Sequence, residues 1–96
     1  MEIYEKFVLH VDDQNKRIHP IKMAPKEIDV LRVLMSAQGG VVLRDRIIDD
    51  VWKDSDVGPA SLARAICSIR KKFKTKKLNV QIETQYGVGY RIHHSA

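Results

Sequence analysis

Basic side chains on one segment, PASLARAICSIRKKFKTKK at residues 59–77, are the clearest candidates for chemistry. At about 100° per residue, a helix over this segment projects Arg64 and Lys71 to the side opposite its apolar residues. Four further residues flank that side or lie at its edges: Ala60, Cys67, Ser68 and Lys74. The segment contains no acid. Such a small, polar and positive face predicts contact with a polyanion, because Lys and Arg pair with phosphates.

The distribution of charge along the chain supports the same interpretation. The chain has 17 Lys and Arg and 12 Asp and Glu, of which residues 60–96 hold 8 basic and 1 acidic. The net charge of +5 therefore arises entirely in this C-terminal part. Neutralising a polyanion is the simplest use of such a block, since each cation placed on a phosphate releases a condensed counterion. On charge alone, a solvated basic face that only maintains solubility is an equal alternative.

Other kinds of site find little support in the sequence. Cys67 is the only cysteine, so it can form neither an internal disulfide nor a multi-cysteine zinc site. The adjacent histidines at residues 93–94 lack the further ligands that a metal needs. The acidic pairs at residues 12–13 and 49–50 are typical of a turn and a solvated helix face. With no clustered nucleophile, base or ligand set, we expect no enzyme activity, no metal and no cofactor.

Length and composition indicate one soluble domain over residues 1–96. A chain of 96 residues with 44% apolar and 30% charged residues can bury a single core. No run approaches the roughly 18 apolar residues of a membrane span, and the N-terminal MEIYEKF is unlike a signal peptide. These features predict a cytoplasmic protein.

The N-terminal half predicts a small sheet followed by a helix. KFVLHVD at residues 6–12 alternates apolar and other positions, and KRIHPIKM follows a turn-forming segment, which indicates antiparallel strands. Pro25 suits a first helical position and Glu27 strengthens the first turn. The apolar residues after them have helical spacing until Gly39 and Gly40 stop the helix: Ile28, Leu31, Leu34 and Met35.

The remaining patterns complete an α+β winged helix-turn-helix. A short VVL run leads into a second helix with apolar Ile47, Ile48, Val51 and Trp52. The basic segment forms the third helix, whose buried stripe is expected to be Leu62, Ile66, Ile69 and Phe73. Two β-like runs around YGVG predict a terminal hairpin. We therefore expect an N-terminal antiparallel sheet at 1–24, a three-helix core at 25–77 and a β-hairpin wing at 78–93.

With its motifs in this order, the chain resembles the OmpR/PhoB-type winged-helix effector domain of bacterial transcription regulators. The resemblance rests on FVLHVD, PKEIDVLRVLMSAQGGVV, LRDRIIDDVW, SLARAICSIRKKF and IETQYGVGYRI, and the last two are the most specific. Within the family, the chain is most similar to HilA-like virulence activators. It also resembles ToxR/CadC-like regulators, which add a membrane segment, so the chain could be the cytoplasmic part of a longer membrane-linked regulator.

The resemblance implies that the third helix, residues 59–74, lies in the major groove of double-stranded DNA. Arg64 would read base edges, together with the small residues Ala60, Ala63, Cys67 and Ser68. Six further residues would contact phosphates: Ser61, Arg70, Lys71, Lys74, Arg44 and, through its indole N–H, Trp52.

The resemblance also implies a wing near the minor groove and partners beyond DNA. The wing at 84–91, with Thr84, Tyr86 and Arg91, would approach the neighbouring minor groove. Tyr86 stands where many relatives carry an arginine, so insertion of a cation at this point is not expected. The loop at 53–58, with Asp54 and Asp56, would touch RNA polymerase. Relatives commonly bind direct repeats in promoters, which implies tandem copies or a weak dimer on DNA in the nucleoid.

Alternative interpretations apply to single residues and to the whole domain. Taken without the family, Trp52 is more typical of a core or boundary residue than of a phosphate ligand, and Cys67 of a helix surface than of a redox sensor. The alternative function is a winged-helix protein-interaction module that has lost DNA binding and uses its basic face for an acidic partner. Salt dependence and sequence preference of binding distinguish the two functions.

Overall fold

The computed structural model describes residues 2–3, 7–11, 18–53 and 58–94. In chain order, the strands and helices of these ranges are β1 Glu2–Ile3, β2 Phe7–Val11, β3 Ile18–Lys22, α1 Pro25–Ser36, β4 Val42–Leu43, α2 Arg44–Val51, α3 Pro59–Thr75, β5 Val80–Gln85 and β6 Gly89–His94. The predicted order of strands, three helices and a terminal hairpin is confirmed. The α+β class is therefore correct.

The described ranges form two three-stranded antiparallel sheets, which share a core with the helices. In the first, β2 lies between β1 and β3, and Val8 on β2 pairs with Ile21 on β3. In the second, β6 is central, between β4 and β5. The VVL run, predicted only as a lead into α2, thus forms a short strand, in which Val42 pairs with Tyr90 of β6. The wing is therefore attached to the segment that joins α1 and α2.

Helix α1 begins without a capping side chain. Ala24 is the N-cap residue, and its methyl group accepts no hydrogen bond. The backbone N–H of Ala24 instead donates to Oε1 of Glu27, at 2.8 Å, which is one half of a capping box. The helix ends at Ser36, after which Gln38 and Gly39 take positive φ values of 50° and 90°.

The predicted apolar stripe of α3 is confirmed. Its four residues are at most 3% exposed: Leu62, Ile66, Ile69 and Phe73. They belong to one core with apolar residues from α1, α2 and both sheets, including Leu31, Ile47 and Ile92. Burying four large side chains at about 1.5–3 kcal/mol each holds α3 firmly in one rotational setting about its axis. The opposite side of the helix must then face outward.

Helix α3 ends in a left-handed residue that is not glycine. Lys77 has φ 54°, its N–H donates to the Lys74 carbonyl at 3.0 Å, and the Leu78 N–H donates to the Phe73 carbonyl at 3.1 Å. This pattern is a Schellman-type C-cap, a position that glycine normally occupies.

The two glycines of the wing turn serve different purposes. Gly87 has φ 78°, as expected for a tight turn. Gly89 does not have a positive φ; instead, its Cα lies so close to β4 that an added Cβ would overlap the Val42 carbonyl group. Gly89 therefore permits the close approach of β4 and β6.

Candidate nucleic-acid interface

The outer face of α3 carries the residues that the sequence predicted for base contact. Arg64 and Lys71, seven positions apart and thus nearly in line along the helix, are both exposed. The small residues beside them, Ala60, Ala63 and Cys67, are exposed as well. A cation among short side chains can approach the floor of a nucleic-acid groove closely. No larger neighbouring side chain would keep the helix at a distance from the bases.

One flank of α3 is fixed to α1 through Glu27, which is only 6% exposed. The ammonium group of Lys72 donates to Oε1 of Glu27 at 2.5 Å. The Ser68 side chain also helps to lower the pKa of Glu27. Ser68, predicted to contact bases, is half-buried and lies on the side of α3 that faces Glu27. Its contact with DNA stays a prediction.

The environment of Glu27 favours the charged carboxylate. Burial raises the pKa of Glu27, but hydrogen bonds from Lys72, Ser68 and the Ala24 N–H, with the charge of Lys72, outweigh burial and hold the pKa below its ordinary value of 4.5. The carboxylate is therefore ionised at neutral pH and acts as a fixed negative charge beneath the basic helix.

The other flank of α3 is clamped to the wing by Arg70. Its Nε and Nη2 donate to the Ile82 carbonyl at 3.0 and 2.7 Å, and Nη2 also donates to the Thr84 hydroxyl at 2.7 Å. Arg70 was predicted as a phosphate ligand and Thr84 as a wing contact. In the structure they bind each other, so Arg70 has a structural role that spacing could not reveal, and its phosphate contact stays a prediction.

Arg91 lies on the body of the wing and not at its tip. Its Nε is 3.4 Å from Oε2 of Glu83, and its Nη1 donates to the Gly39 carbonyl at 3.3 Å. Nε2 of His93 is 3.1 Å from the same carboxylate oxygen. Partial desolvation raises the pKa of Glu83, but Arg91, Gln85 and His93 reverse the effect and leave the pKa lowered. The predicted approach of Arg91 to DNA stays a prediction.

The tip of the wing is aromatic and lies near the start of α2. Tyr86 is 93% exposed, and the neighbouring Val88 is 49% exposed. The backbone N–H of Arg44, the first residue of α2, donates to the Val88 carbonyl at 3.2 Å. Arg44 is exposed, so a cation stands beside the wing turn even though Tyr86 itself is neutral.

The other predicted phosphate ligands lie near the helix ends. Ser61 in the first turn of α3 is half-buried, and Lys74 in its last turn is exposed. Trp52 is half-buried and packs against the core, as the boundary interpretation predicts; a phosphate contact by its indole N–H stays a prediction. Asp54 and Asp56 lie outside the described residues.

Two further roles, besides that of Arg70, were missed in the sequence. Glu27 was predicted only to strengthen the first turn of α1, and Lys72 received no role. Their pairing joins positions far apart in the chain, and no local spacing indicates it. The available signal was the helical wheel, which places Lys72 and Ser68 on the same side of α3. In the part of the chain that the structure describes, no three metal-ligating side chains cluster, and no helix is long and apolar enough to span a bilayer.

Comparison with known proteins gives concordant matches. The family model described as "Transcriptional regulatory protein, C terminal" matches residues 18–92. The transcriptional regulator HilA of Salmonella typhimurium is 36% identical over 90 residues, which are 93% of this chain and 16% of HilA. The response regulator protein GraR of Staphylococcus saprophyticus is 34% identical over 86 residues, which are 88% of this chain and 38% of GraR. The chain thus spans less than half the length of these relatives.

Solved structures share the fold. The DNA-binding domain of E. coli CadC superposes with a TM-score of 0.72 at 25% identity, covering 95% of both chains. The DNA-binding domain of the response regulator AdeR, solved in complex with an intercistronic region, has a TM-score of 0.74 at 15% identity and covers 96% of this chain and 98% of its own. The second likeness supports the fold alone.

Proposed function

This chain belongs to the family of C-terminal domains of transcriptional regulatory proteins, and we propose that it is the DNA-binding domain of a bacterial transcription regulator that recognises duplex DNA by sequence. The whole regulator's activity is part of this proposal, because the chain spans only 16% of HilA.

The observation that carries the proposal is the division of α3 into a buried and a basic side. Four apolar residues hold one side in the core, and the other side presents exposed Arg64 among small residues. The major groove of B-DNA admits an α-helix, and an arginine can donate two hydrogen bonds to guanine. In this proposal Arg64 reads base edges, and Ala60, Ala63, Cys67 and Ser68 approach them.

Phosphate contacts fix the position of α3 in the groove. Lys71 and Lys74 are exposed on its second half, and Arg44 stands beside the wing turn. We assign phosphate contacts to these three and to Ser61 and Trp52. Arg70, which was also predicted to contact a phosphate, is instead assigned chiefly to holding the wing, through its bonds to Ile82 and Thr84. The wing, with Tyr86 at its tip, lies over the neighbouring minor groove.

The partners other than DNA are a further part of the proposal. The loop at 53–58, with Asp54 and Asp56, contacts RNA polymerase, and copies of the domain bind direct repeats in tandem at promoters in the bacterial cytoplasm. Among relatives, HilA and GraR are named as regulators, which supports a regulatory and not an enzymatic role. Reporter activation that is lost in Asp54→Ala/Asp56→Ala, with DNA binding intact, tests the polymerase contact.

The test of DNA recognition is binding at several salt concentrations with selection of sequences from a random duplex pool. The parent should select a motif and show a steep salt slope. Arg64→Ala should blur that motif at one or two positions and cost about 1–3 kcal/mol at the best site. Arg32→Ala is the matched control, since Arg32 is an exposed arginine on α1 beside α2 and should leave the motif unchanged.

Weak binding without a selected motif in the parent protein contradicts the proposal. Tight binding to an acidic polypeptide in the same preparation would then support the alternative, a protein-interaction module.

A further inference from the structure

A groove rich in lysine lies between the N-terminal sheet and the last turns of α3. It has a volume of about 440 Å³ and is bordered by four lysines: Lys22 of β3, Lys71 and Lys72 of α3, and Lys76 just after α3. We call it the lysine groove. Among the described residues, no acidic side chain lines it. It brings together two parts of the chain that are far apart in sequence, the basic helix and the first sheet.

Three of the four charges are available to a ligand. Lys72 is bound to Glu27. Lys22, Lys71 and Lys76 are exposed, and none of them pairs with a carboxylate within the described ranges. Ammonium groups on flexible stems act as point charges, which can bind phosphates without a fixed, planar geometry. The lysine groove therefore has the chemistry of a site for backbone phosphates.

The lysine groove is continuous with the outer face of α3. Lys71 belongs to both: it borders the groove and lies in line with Arg64 along the helix. Thr75, one turn further on, is exposed and also lines the groove. A DNA strand that followed the outer face towards the end of α3 would run towards Lys76 and Lys22, which border the groove.

We propose that the lysine groove binds the phosphate backbone of the same DNA on which α3 reads bases, so that Lys22 and Lys76 extend the binding surface onto the N-terminal sheet. This inference rests on the proposed DNA binding. A flexible cluster of ammonium groups carries no base preference, so the groove contributes affinity and salt dependence but no sequence information.

The test compares two double variants that each remove two positive charges. Lys22→Gln/Lys76→Gln alters the lysine groove. Arg32→Gln/Lys53→Gln is the matched control, because both residues are exposed and line another groove, between α1 and α2. Circular dichroism melting checks that both variants fold. Binding to the selected duplex is then measured across salt concentrations, and hydroxyl-radical footprinting records the protected sugars.

Each phosphate contact adds about 0.9 to the magnitude of the salt slope, so the groove variant should lower it by nearly 2. The selected motif should be unchanged, and protection should be lost at one flank of the footprint. The control variant should keep the parent's slope to within about 0.5 and the full footprint.

Two results overturn the inference without affecting the proposed function. In one, the groove variant keeps the parent's slope and footprint; in the other, both double variants lower the slope equally, so that only net charge matters. Binding of poly-glutamate to the parent and to the groove variant is measured as well. If the groove variant binds DNA like the parent but no longer binds poly-glutamate, the groove is a site for an acidic protein. Failure of the proposed function is distinct, since the parent would then select no motif.

Discussion

Lys72 of α3 and Glu27 of α1 form an ion pair that links the two helices, with the ammonium nitrogen 2.5 Å from the carboxylate oxygen. The same carboxylate oxygen accepts from the Ala24 N–H. Glu27 thus joins the start of α1 to the last turn of α3. One lysine of the basic segment serves the fold, and the rest of its charge stays on the surface.

Replacement of Glu27 by glutamine should lower the free energy of unfolding by about 1–3 kcal/mol. The amide retains the shape but cannot balance the charge of Lys72 or accept as strongly from Lys72 and the Ala24 N–H. Urea unfolding measures the change. Asp50→Asn is the control, since Asp50 forms an exposed pair with Arg46 at 3.7 Å and its loss should cost less than about 0.5 kcal/mol. Equal losses would contradict a special role for Glu27.

The same carboxylate should make stability depend on acid pH. Because the folded-state pKa of Glu27 lies below its ordinary value of 4.5, Glu27 stabilises the fold above pH 4.5 and loses this contribution as pH falls through the folded pKa. The free energy of unfolding, measured in urea over a pH series, should decline more steeply below pH 4.5 for the parent than for Glu27→Gln. Parallel curves would show that Glu27 titrates alike in both states.

Arg70 should act through the wing more than through DNA charge. Arg70→Lys keeps the charge but loses the two-pronged bond to the Ile82 carbonyl, so amides of β5 should exchange hydrogen faster and stability should fall by about 1–2 kcal/mol. Arg70→Gln should show the same exchange and keep the parent's salt slope of DNA binding. A slope reduced by about 0.9 in Arg70→Gln alone would instead establish a phosphate contact.

Gly89→Ala should destabilise the domain by about 1–3 kcal/mol, because the methyl group would collide with the Val42 carbonyl and push β4 from β6. Gly58→Ala is the control: nothing lies within 4 Å of the added methyl, so the change should cost no more than the roughly 1 kcal/mol by which glycine is preferred over alanine at the N-cap of α3. Thermal and urea unfolding measure both. If Gly89→Ala left the free energy of unfolding unchanged, β4 would be able to move away from the added methyl group without cost.

Lys77→Gly should raise stability by about 0.5–1 kcal/mol, since glycine adopts the positive φ of this C-cap without the steric cost that lysine incurs. Lys77→Ala removes the same charge but keeps the Cβ, so it should give no such gain. Thermal melting at matched ionic strength separates the two. A gain of equal size in both variants would attribute the effect to charge.

Local patterns predicted the elements and the orientation of α3, but not the contacts that join them. Spacing alone identified the stripe from Leu62 to Phe73, because apolar residues that recur with a period of 3.6 residues lie on one face of a helix. It could not identify β4, since two residues form a strand only when a distant partner is present. Nor could it show that Arg70 binds the Ile82 carbonyl. Every residue has a backbone carbonyl group, so the residue type does not indicate which carbonyl accepts. The boundaries at 24, 77 and 93 remain expectations.

The pairing of β4 with β6 has a consequence for the time course of folding. Val42 and Tyr90 are nearly half the chain apart, and β6 is the central strand of its sheet. During synthesis the ribosome must release β6 before that sheet can close, whereas β1, β2 and β3 are neighbours and can pair much earlier. A nascent chain that stops before β6 would expose the apolar surface of Val42, Val80 and Ile82, and chaperones would recognise it.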